Sequence, residues 1–466
     1  MSKTDSEKRS AEDSIHEDIE TPCTQSTEWD SERFFGTVVC AEDGRQDFAL
    51  PPVDRGKAAW LFLAACFAIE CLVWGLPYSF GVFQDYYSSH PPFEGQPNIA
   101  IIGTSGMGVM YLTTPILIAF IKAFGRWARW APMLGLVIMV LALGLSSLSQ
   151  TTTHLILTQG VLYGFGGGIT YNPCMMYMDD WFDKRKGLAY GIMWSGTGLA
   201  GVVVPLLMEW LLDRLGFRNT LRVWAGILLI LGAPFVWFIR PRVPPSPNTR
   251  VSLSDVRFLK SLSFWLYESA NIVEGLGFFL PNIYLPSYVH SLFGAESFTA
   301  ASTVILINIA SVFGCVAMGI LIDRLHVTTC ILLSTIGATV GVLVIWGLSP
   351  SVHVLYIFCA MYGLFAGSFT STWPGIMMDL ARRHSQDDKQ GQRIDTVMVF
   401  GFLAVGRGIG NVATGPLSES LIRGWPWRGE TSAVGYGSGY GSMIVFTGIT
   451  ALLGGSTYVW KRLGLL

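Results

Sequence analysis

From Trp60 onward the sequence runs through apolar stretches of membrane-crossing length almost back to back, and this excludes most folds. A helix needs about 20 apolar residues to cross a hydrocarbon layer of about 30 Å. In that layer every backbone N–H and C=O must be satisfied within the protein, which leaves helices or a closed barrel. Continuous rather than alternating apolar runs of this length select helices. Twelve spans are expected, at 57–83, 98–121, 130–149, 154–178, 186–212, 220–239, 263–289, 298–322, 328–348, 353–379, 394–421 and 437–460. Only 14% of the 466 residues are charged and 51% are hydrophobic, too charge-poor for an ordinary soluble enzyme.

Residues 1–55 are rich in Ser, Thr, Asp and Glu and hold no apolar run able to bury a core, so a disordered tail is expected there. The tail lacks the basic start and apolar stretch of a cleavable signal, which leaves the first span as the insertion signal. Basic residues stay on the cytoplasmic side of membrane proteins. With the N-terminus inside, Lys122, Arg129, Lys184, Arg185, Lys186, Arg240, Arg242, Arg324, Arg382, Arg383, Lys461 and Arg462, among others, fall in cytoplasmic segments. The opposite loops carry Arg214, Arg218, Arg423 and Arg428. Both termini are therefore expected in the cytoplasm, and the plasma membrane is the expected location.

The Pro-rich, basic stretch 240–262 reads as a cytoplasmic linker between two six-helix bundles, 56–239 and 263–466. The halves also look duplicated. Tyr163-Gly164, Gly168, Pro173 and Met175-Met176 in span four correspond to Tyr362-Gly363, Gly367, Pro374 and Met377-Met378 in span ten. Glu70 precedes Pro77 by seven residues, as Glu274 precedes Pro281, and Gly196-x-Gly198 with Pro205 parallels Gly406-x-Gly408 with Pro416. Two such halves around a midplane cavity resemble the major facilitator architecture, in which one half rocks against the other. The expected fold is an all-α membrane protein of that type, with twelve transmembrane helices in two six-helix pseudo-repeats.

Two blocks resemble the monocarboxylate porter family of that superfamily, particularly its fungal branch. One runs from Asp54, Gly56 and Trp60 into Gly75-Leu76-Pro77-Tyr78-Ser79-Phe80-Gly81; the other is Trp181-Phe182-Asp183-Lys184-Arg185-Lys186-Gly187-Leu188-Ala189-Tyr190-Gly191, continuing to Gly201 and Pro205. Asn308 to Ser311, Gly314 and Gly319 to Arg324 extend the likeness through span eight. The resemblance implies secondary transport of a small organic compound, and fungal relatives include exporters of secondary metabolites. Proton-linked animal members carry a lysine after the span-one proline and an Asp–Arg pair within span eight. Here Tyr78 follows Pro77, and Val312, Cys315 and Val316 occupy the span-eight region.

Ionisable groups deep in a span cost roughly 2.5–3.5 kcal/mol on insertion scales, so those that persist face a cavity or a partner. Glu70, Glu274 and Arg407 are the charged candidates for substrate or proton coupling, while Glu268 reads as an internal pairing group that fixes register. Tyr78, Asn172, Asn308 and Trp373, with Tyr171, lie on helices expected to line the cavity. Trp194 and Trp210 read as bundle or interface packing. Asp183, Lys184, Arg185, Asp323 and Arg324, with Asp179, Asp180 and Lys186, are expected to form a conformational gate, and Asp323-Arg324 resembles the superfamily's loop signature. Gly164, Gly168, Gly196, Gly198 and Gly201 are expected to let helices approach closely.

The eight cysteines show no paired spacing, and the sequence shows no phosphate loop, metal cluster or nucleophile–base pair, so neither cofactor nor metal is expected and the chain does not read as an enzyme. The partners implied are a small-molecule substrate, protons and the lipid bilayer, with no nucleic acid and no obligate protein partner. The leading reading is efflux of an organic secondary metabolite across the plasma membrane. Proton-coupled monocarboxylate uptake and a non-transporting nutrient sensor are the alternatives.

Overall fold

The protein is described from a computed structural model covering residues 37–40, 46–125, 127–243, 256–387, 394–423 and 435–466. Span one is α1 (Lys57–Tyr78) followed by α2 (Phe80–Ser89). Pro77 has no N–H to give, and the helix breaks at Ser79, whose Oγ donates to Gly75 O at 2.6 Å. Span two is α3 (Ile99–Leu112) and α4 (Thr114–Ala123), bent by 48° at Thr113. Span three is α5 (Ala131–Ser146), and span four is α6 (Thr152–Leu155), a π-helical stretch Ile156–Leu162 and α7 (Tyr163–Trp181). Spans five and six share α8 (Lys186–Phe238), divided at Gly216, whose φ of +69° and ψ of 168° are open to glycine alone.

The second half repeats the scheme. Span seven is α9 (Leu262–Phe278) and α10 (Leu280–Phe293), broken at Phe279 just ahead of Pro281. Span eight is α11 (Ser297–Ile322), and span nine is α12 (Val327–Val340) with a π-helical stretch Gly341–Trp346. Span ten is α13 (Val352–Phe365), a 3-10 turn Phe369–Thr372 and α14 (Trp373–Asp387). Span eleven is α15 (Thr396–Arg423); α16 (Gly441–Gly454) and α17 (Ser456–Arg462) make span twelve.

Among the described residues, eight helical stretches are long and apolar enough to cross a membrane, or nine with the bent α3–α4 pair, and α8 at 53 residues has the length of two spans. Spans four and seven fall short of that measure. They carry Asn172, Glu268 and Glu274, all buried in the bundle, while apolar side chains such as Ile230 (73% exposed), Ile116 (68%) and Phe313 (67%) turn outward. That inversion suits a bundle solvated by lipid.

The duplication is visible in the packing. Tyr163 Oη donates to Val73 O at 3.0 Å, and Tyr362 Oη donates to Phe278 O at 2.9 Å, tying span four to span one and span ten to span seven at the same level. Gly164 lies on Gly106 of α3, where a Cβ would meet the carbonyl oxygen at 2.6 Å, and Gly363 lies in the same way on Ile307 of α11.

Within 1–55 the described residues are 37–40 and 46–55. Thr37–Cys40 (β1) and Gln46–Ala49 (β2) pair antiparallel, with Thr37 opposite Ala49, in a stretch whose Val38, Val39 and Phe48 favour strands. Residues 50–56 are held against the helical body by Asp54. Residues 1–36, 41–45 and most of the linker, 244–255, lie outside the described residues.

The two halves meet where α8 crosses α11. Gly187 abuts Gly319 O, Gly191 abuts Cys315 O, and Gly198 and Gly201 abut Asn308, with hypothetical Cβ atoms at 2.8 Å and 2.7 Å. A side chain at Gly191 would strike backbone, which cannot rotate away. Gly191→Val is expected to lower stability by roughly 1–3 kcal/mol, whereas Gly226→Ala, with nothing within 4 Å, should be tolerated. Thermal unfolding of the purified variants in detergent checks this, and equal melting would refute the close crossing.

Candidate functional site

Spans one, two, four, five, seven, ten and eleven enclose a cavity of about 50 Å³ lined by Glu70, Trp74, Tyr78, Met110, Tyr111, Thr114, Tyr171, Trp194, Thr197, Phe278, Gly367, Thr370, Trp373, Phe400, Ala404 and Arg407. This is room for a few water molecules. The walls are largely aromatic: Trp74 sits 4.9 Å from Tyr111, Trp194 stacks on Phe400 at 6.4 Å, and Trp373 meets Phe400 edge-on at 5.7 Å. Trp194 Nε1 donates to Tyr171 Oη at 2.9 Å.

Of the expected substrate or coupling residues, Glu70, Tyr78, Trp373 and Arg407 come together here. Glu274 lies behind the wall and pairs with Arg407, both side chains being at most 5% exposed. The guanidinium also lies 3.9 Å from the Phe278 ring centre. The positive charge in the wall is thus already neutralised. Glu70 is 1% exposed, and its Oε2 has no hydrogen-bond partner among the described residues.

Two candidates are placed elsewhere. Asn308 donates from Nδ2 to Gly201 O at 3.3 Å and to Val304 O at 3.0 Å, so it serves the α8–α11 crossing, where a Cβ on Gly201 would meet its amide at 2.7 Å. Asn172 is buried in α7 with Nδ2 4.0 Å from a Cβ position on Gly168, outside the cavity lining. Gly168 itself faces Leu117, and Gly196 faces the Phe67 carbonyl. Glu268 packs against Gly406 and accepts from Asn271 Nδ2 at 3.4 Å, away from the cavity.

Trp194, read from the sequence as packing, lines the cavity, and Trp74, Tyr111 and Phe400 were missed. Spacing held the signal. Glu70, Trp74 and Tyr78 are four residues apart on one helix face, and Phe400, Ala404 and Arg407 share another. Trp210 is 58% exposed, on the outside of the bundle.

At one end of the bundle a polar cluster joins the halves. Asp323, at the end of α11, accepts from Gly187 N at 2.7 Å and Leu188 N at 2.9 Å, capping α8 of the other half. Burial holds its carboxyl above the usual range despite these bonds, and nearby Asp54 adds to the effect. Lys122 pairs with Asp395 at 2.5 Å, and Asp179 takes Lys186 at 3.1 Å and Thr396 Oγ1 at 2.9 Å.

The expected gate side chains act differently from the sequence reading. Asp183, Lys184, Arg185 and Arg324 have exposed side chains. The first three contribute backbone instead: their N–H groups donate to the Asp54 carboxylate at 3.1, 3.0 and 3.0 Å. Asp54 N donates to Trp181 O at 3.0 Å, and Arg242 Nε donates to Pro51 O at 2.7 Å. The N-terminal segment therefore straps the turn between spans four and five.

The sequence profile described as Major Facilitator Superfamily matches residues 96–412. The chain belongs to the Major Facilitator Superfamily. It is 25% identical over 423 residues to the MFS transporter asaE of Aspergillus flavus, covering 89% of each chain, and 28% identical over 424 residues to the Agnestins efflux protein AgnL12 of Paecilomyces divaricatus, again covering 89% of each. The crystal structure of the human organic anion transporter MFSD10 (TETRAN) matches with a TM-score of 0.57 at 14% identity, covering 89% of this chain and all of that one. This superfamily member is a multi-pass membrane transporter, not an enzyme.

Two outcomes follow. Arg407→Ala strands Glu274 in the apolar interior and is expected to cost roughly 3–5 kcal/mol; Arg407→Ala/Glu274→Ala should recover much of it. A thermal-unfolding double-mutant cycle in detergent decides, and additive losses would show that the pair is not coupled. Burial tends to raise the Asp54 pKa, but the three backbone N–H bonds outweigh it and hold the carboxyl below its usual range. The strap's contribution is then present at neutral pH and lost as pH falls through the depressed folded value. Asp54→Asn, which keeps a residue tolerant of the local φ of +60°, should destabilise at pH 7, with the difference shrinking below about pH 4. A pH-independent difference contradicts this.

Proposed function

We propose that this superfamily member exports a small organic metabolite across the fungal plasma membrane by alternating access. The observation that carries the reading is the aromatic cavity between the halves, closed at one end by the Asp323, Lys122–Asp395 and Asp179 contacts. The basic residues Lys122, Lys184, Arg185, Lys186, Arg240, Arg242, Arg382 and Arg383 gather at that end, which supports its being cytoplasmic, with both termini on the same side. The efflux named for AgnL12 supports the direction.

In this scheme the described form has its cytoplasmic gate shut. Opening parts α8 from α11 and α15 from α3 and α4, and the cavity widens from its few waters' worth of space to admit substrate. Glu70 is the proton-exchanging group: it carries a proton taken from outside while the substrate leaves, and gives it up inside. An ionised Glu70 enclosed with neither a proton nor a substrate donor on it is costly, so the empty carrier returns only when Glu70 is protonated, and the two steps are coupled. Alternation of the halves is the step that Asp323 controls through its hold on α8.

The block Trp181–Gly191 supports a place near the fungal branch of the monocarboxylate porters. Uptake of a carboxylate is the weaker reading, because the Arg407 guanidinium is already occupied by Glu274.

The test is expression in a fungal host lacking related porters, following metabolite release and labelled monocarboxylate uptake at two external pH values. Wild type should raise release, more so with an acidic exterior, and Glu70→Gln should remove that pH dependence. Acid-stimulated monocarboxylate uptake without metabolite release would overturn the export reading.

A further inference from the structure

We propose that the ligand of this cavity is a neutral, planar aromatic compound carrying hydrogen-bond acceptors and one hydroxyl, read by the indole N–H groups of Trp74 and Trp373 and by the Glu70 carboxyl. The inference rests on the transport reading for its place in the cell, but its chemistry comes from the cavity alone.

Three residues of the lining each hold a buried polar atom that lacks a hydrogen-bond partner among the described residues: Trp74 Nε1, Trp373 Nε1 and Glu70 Oε2. Their side chains are 3%, 2% and 1% exposed. A buried donor or acceptor without a partner costs about 1–3 kcal/mol, so such atoms mark where a ligand's polar groups belong. Trp194, also in the wall, has its N–H satisfied by Tyr171 and is left to offer only its ring. The two unsatisfied indoles come from different halves, Trp74 from span one and Trp373 from span ten, so one ligand can bridge the halves through both.

The remaining chemistry narrows the class. An indole N–H only donates, so the ligand must present acceptors to both tryptophans; a carbonyl or ether oxygen suits. The flat faces of Trp74, Trp194, Tyr111 and Phe400 suit an aromatic ring system, which gains from stacked and edge-on contacts. Charge argues against an anion. Arg407 is neutralised by Glu274, so an added carboxylate would meet no free cation in the wall and would face Glu70. A hydroxyl on the ligand donates to Glu70 Oε2 instead.

The test uses the full chain in nanodiscs and equilibrium binding of three probes at pH 6: 2-hydroxyfluorenone, fluorene-2-carboxylate and the hydrocarbon fluorene. A phenol with pKa near 10 is neutral there. Hydroxyfluorenone is expected to bind most tightly. Trp74→Phe and Trp373→Phe keep an aromatic ring and remove only the N–H, and each should weaken its binding roughly three- to tenfold while leaving fluorene unchanged. Thermal unfolding of the two variants, read alongside, confirms that both are folded. No binding of hydroxyfluorenone, or equal or tighter binding of the carboxylate, would overturn the proposal, as would phenylalanine variants that bind hydroxyfluorenone like wild type. Binding as described without export in cells would sink the transport reading and leave the ligand class standing. Export of carboxylates would do the reverse.

Discussion

The first turn of α8 holds together what the rest of the molecule needs. A helix N-terminus offers unsatisfied N–H groups and a partial positive charge. Here Asp323 of the other half takes the N–H groups of 187 and 188, and Asp54 of the N-terminal segment takes those of 183–185 in the turn that leads into the helix. One bond set fixes the turn within its own half; the other joins the halves. Just beyond, Gly187 and Gly191 bring the α8 backbone onto α11. The closed form therefore depends on one helix end being both rigid and bare of side chains.

The cavity shows the opposite economy, with large side chains and little fixed charge. Its single guanidinium is paired with Glu274, so Arg407 steadies α15 against α9 and lies over the Phe278 ring. What is left for recognition is ring surface, the side chains of Trp74, Trp373 and Glu70, and hydroxyls such as those of Tyr78 and Tyr111. A site of this kind discriminates by shape and by the count of hydrogen-bond acceptors, and it gives little purchase to a small carboxylate.

The fold was largely legible in the sequence because lipid imposes a length and a composition on each span that few other solvents impose. Spans four and seven were read as apolar stretches like the others, although Asn172, Glu268 and Glu274 dilute their apolar character. The site was half legible. Charged residues in a span stand out, and Glu70, Glu274 and Arg407 were found that way; which two of them would pair depended on helix rotation, which composition does not specify. Aromatic residues are common in every span, so Trp74 and Trp194 could be told from packing residues only by their register with Glu70 or by tertiary contacts. Asn308 misled because a polar amide between two helices looks the same in sequence whether it faces a ligand or a glycine. Asp54 escaped notice as a structural anchor because its partners are backbone atoms, which carry no sequence signal.

Gly216 has a consequence for motion. Spans five and six are helical up to the residue on either side of it, so the turn between them contains no loop to take up strain. A tilt of span five at its Asp323-capped end is handed through that single residue to span six, whose Ile230 lies open to the membrane. On the proposed alternating-access scheme, stiffness of the surrounding bilayer then becomes part of the load against which the halves rock.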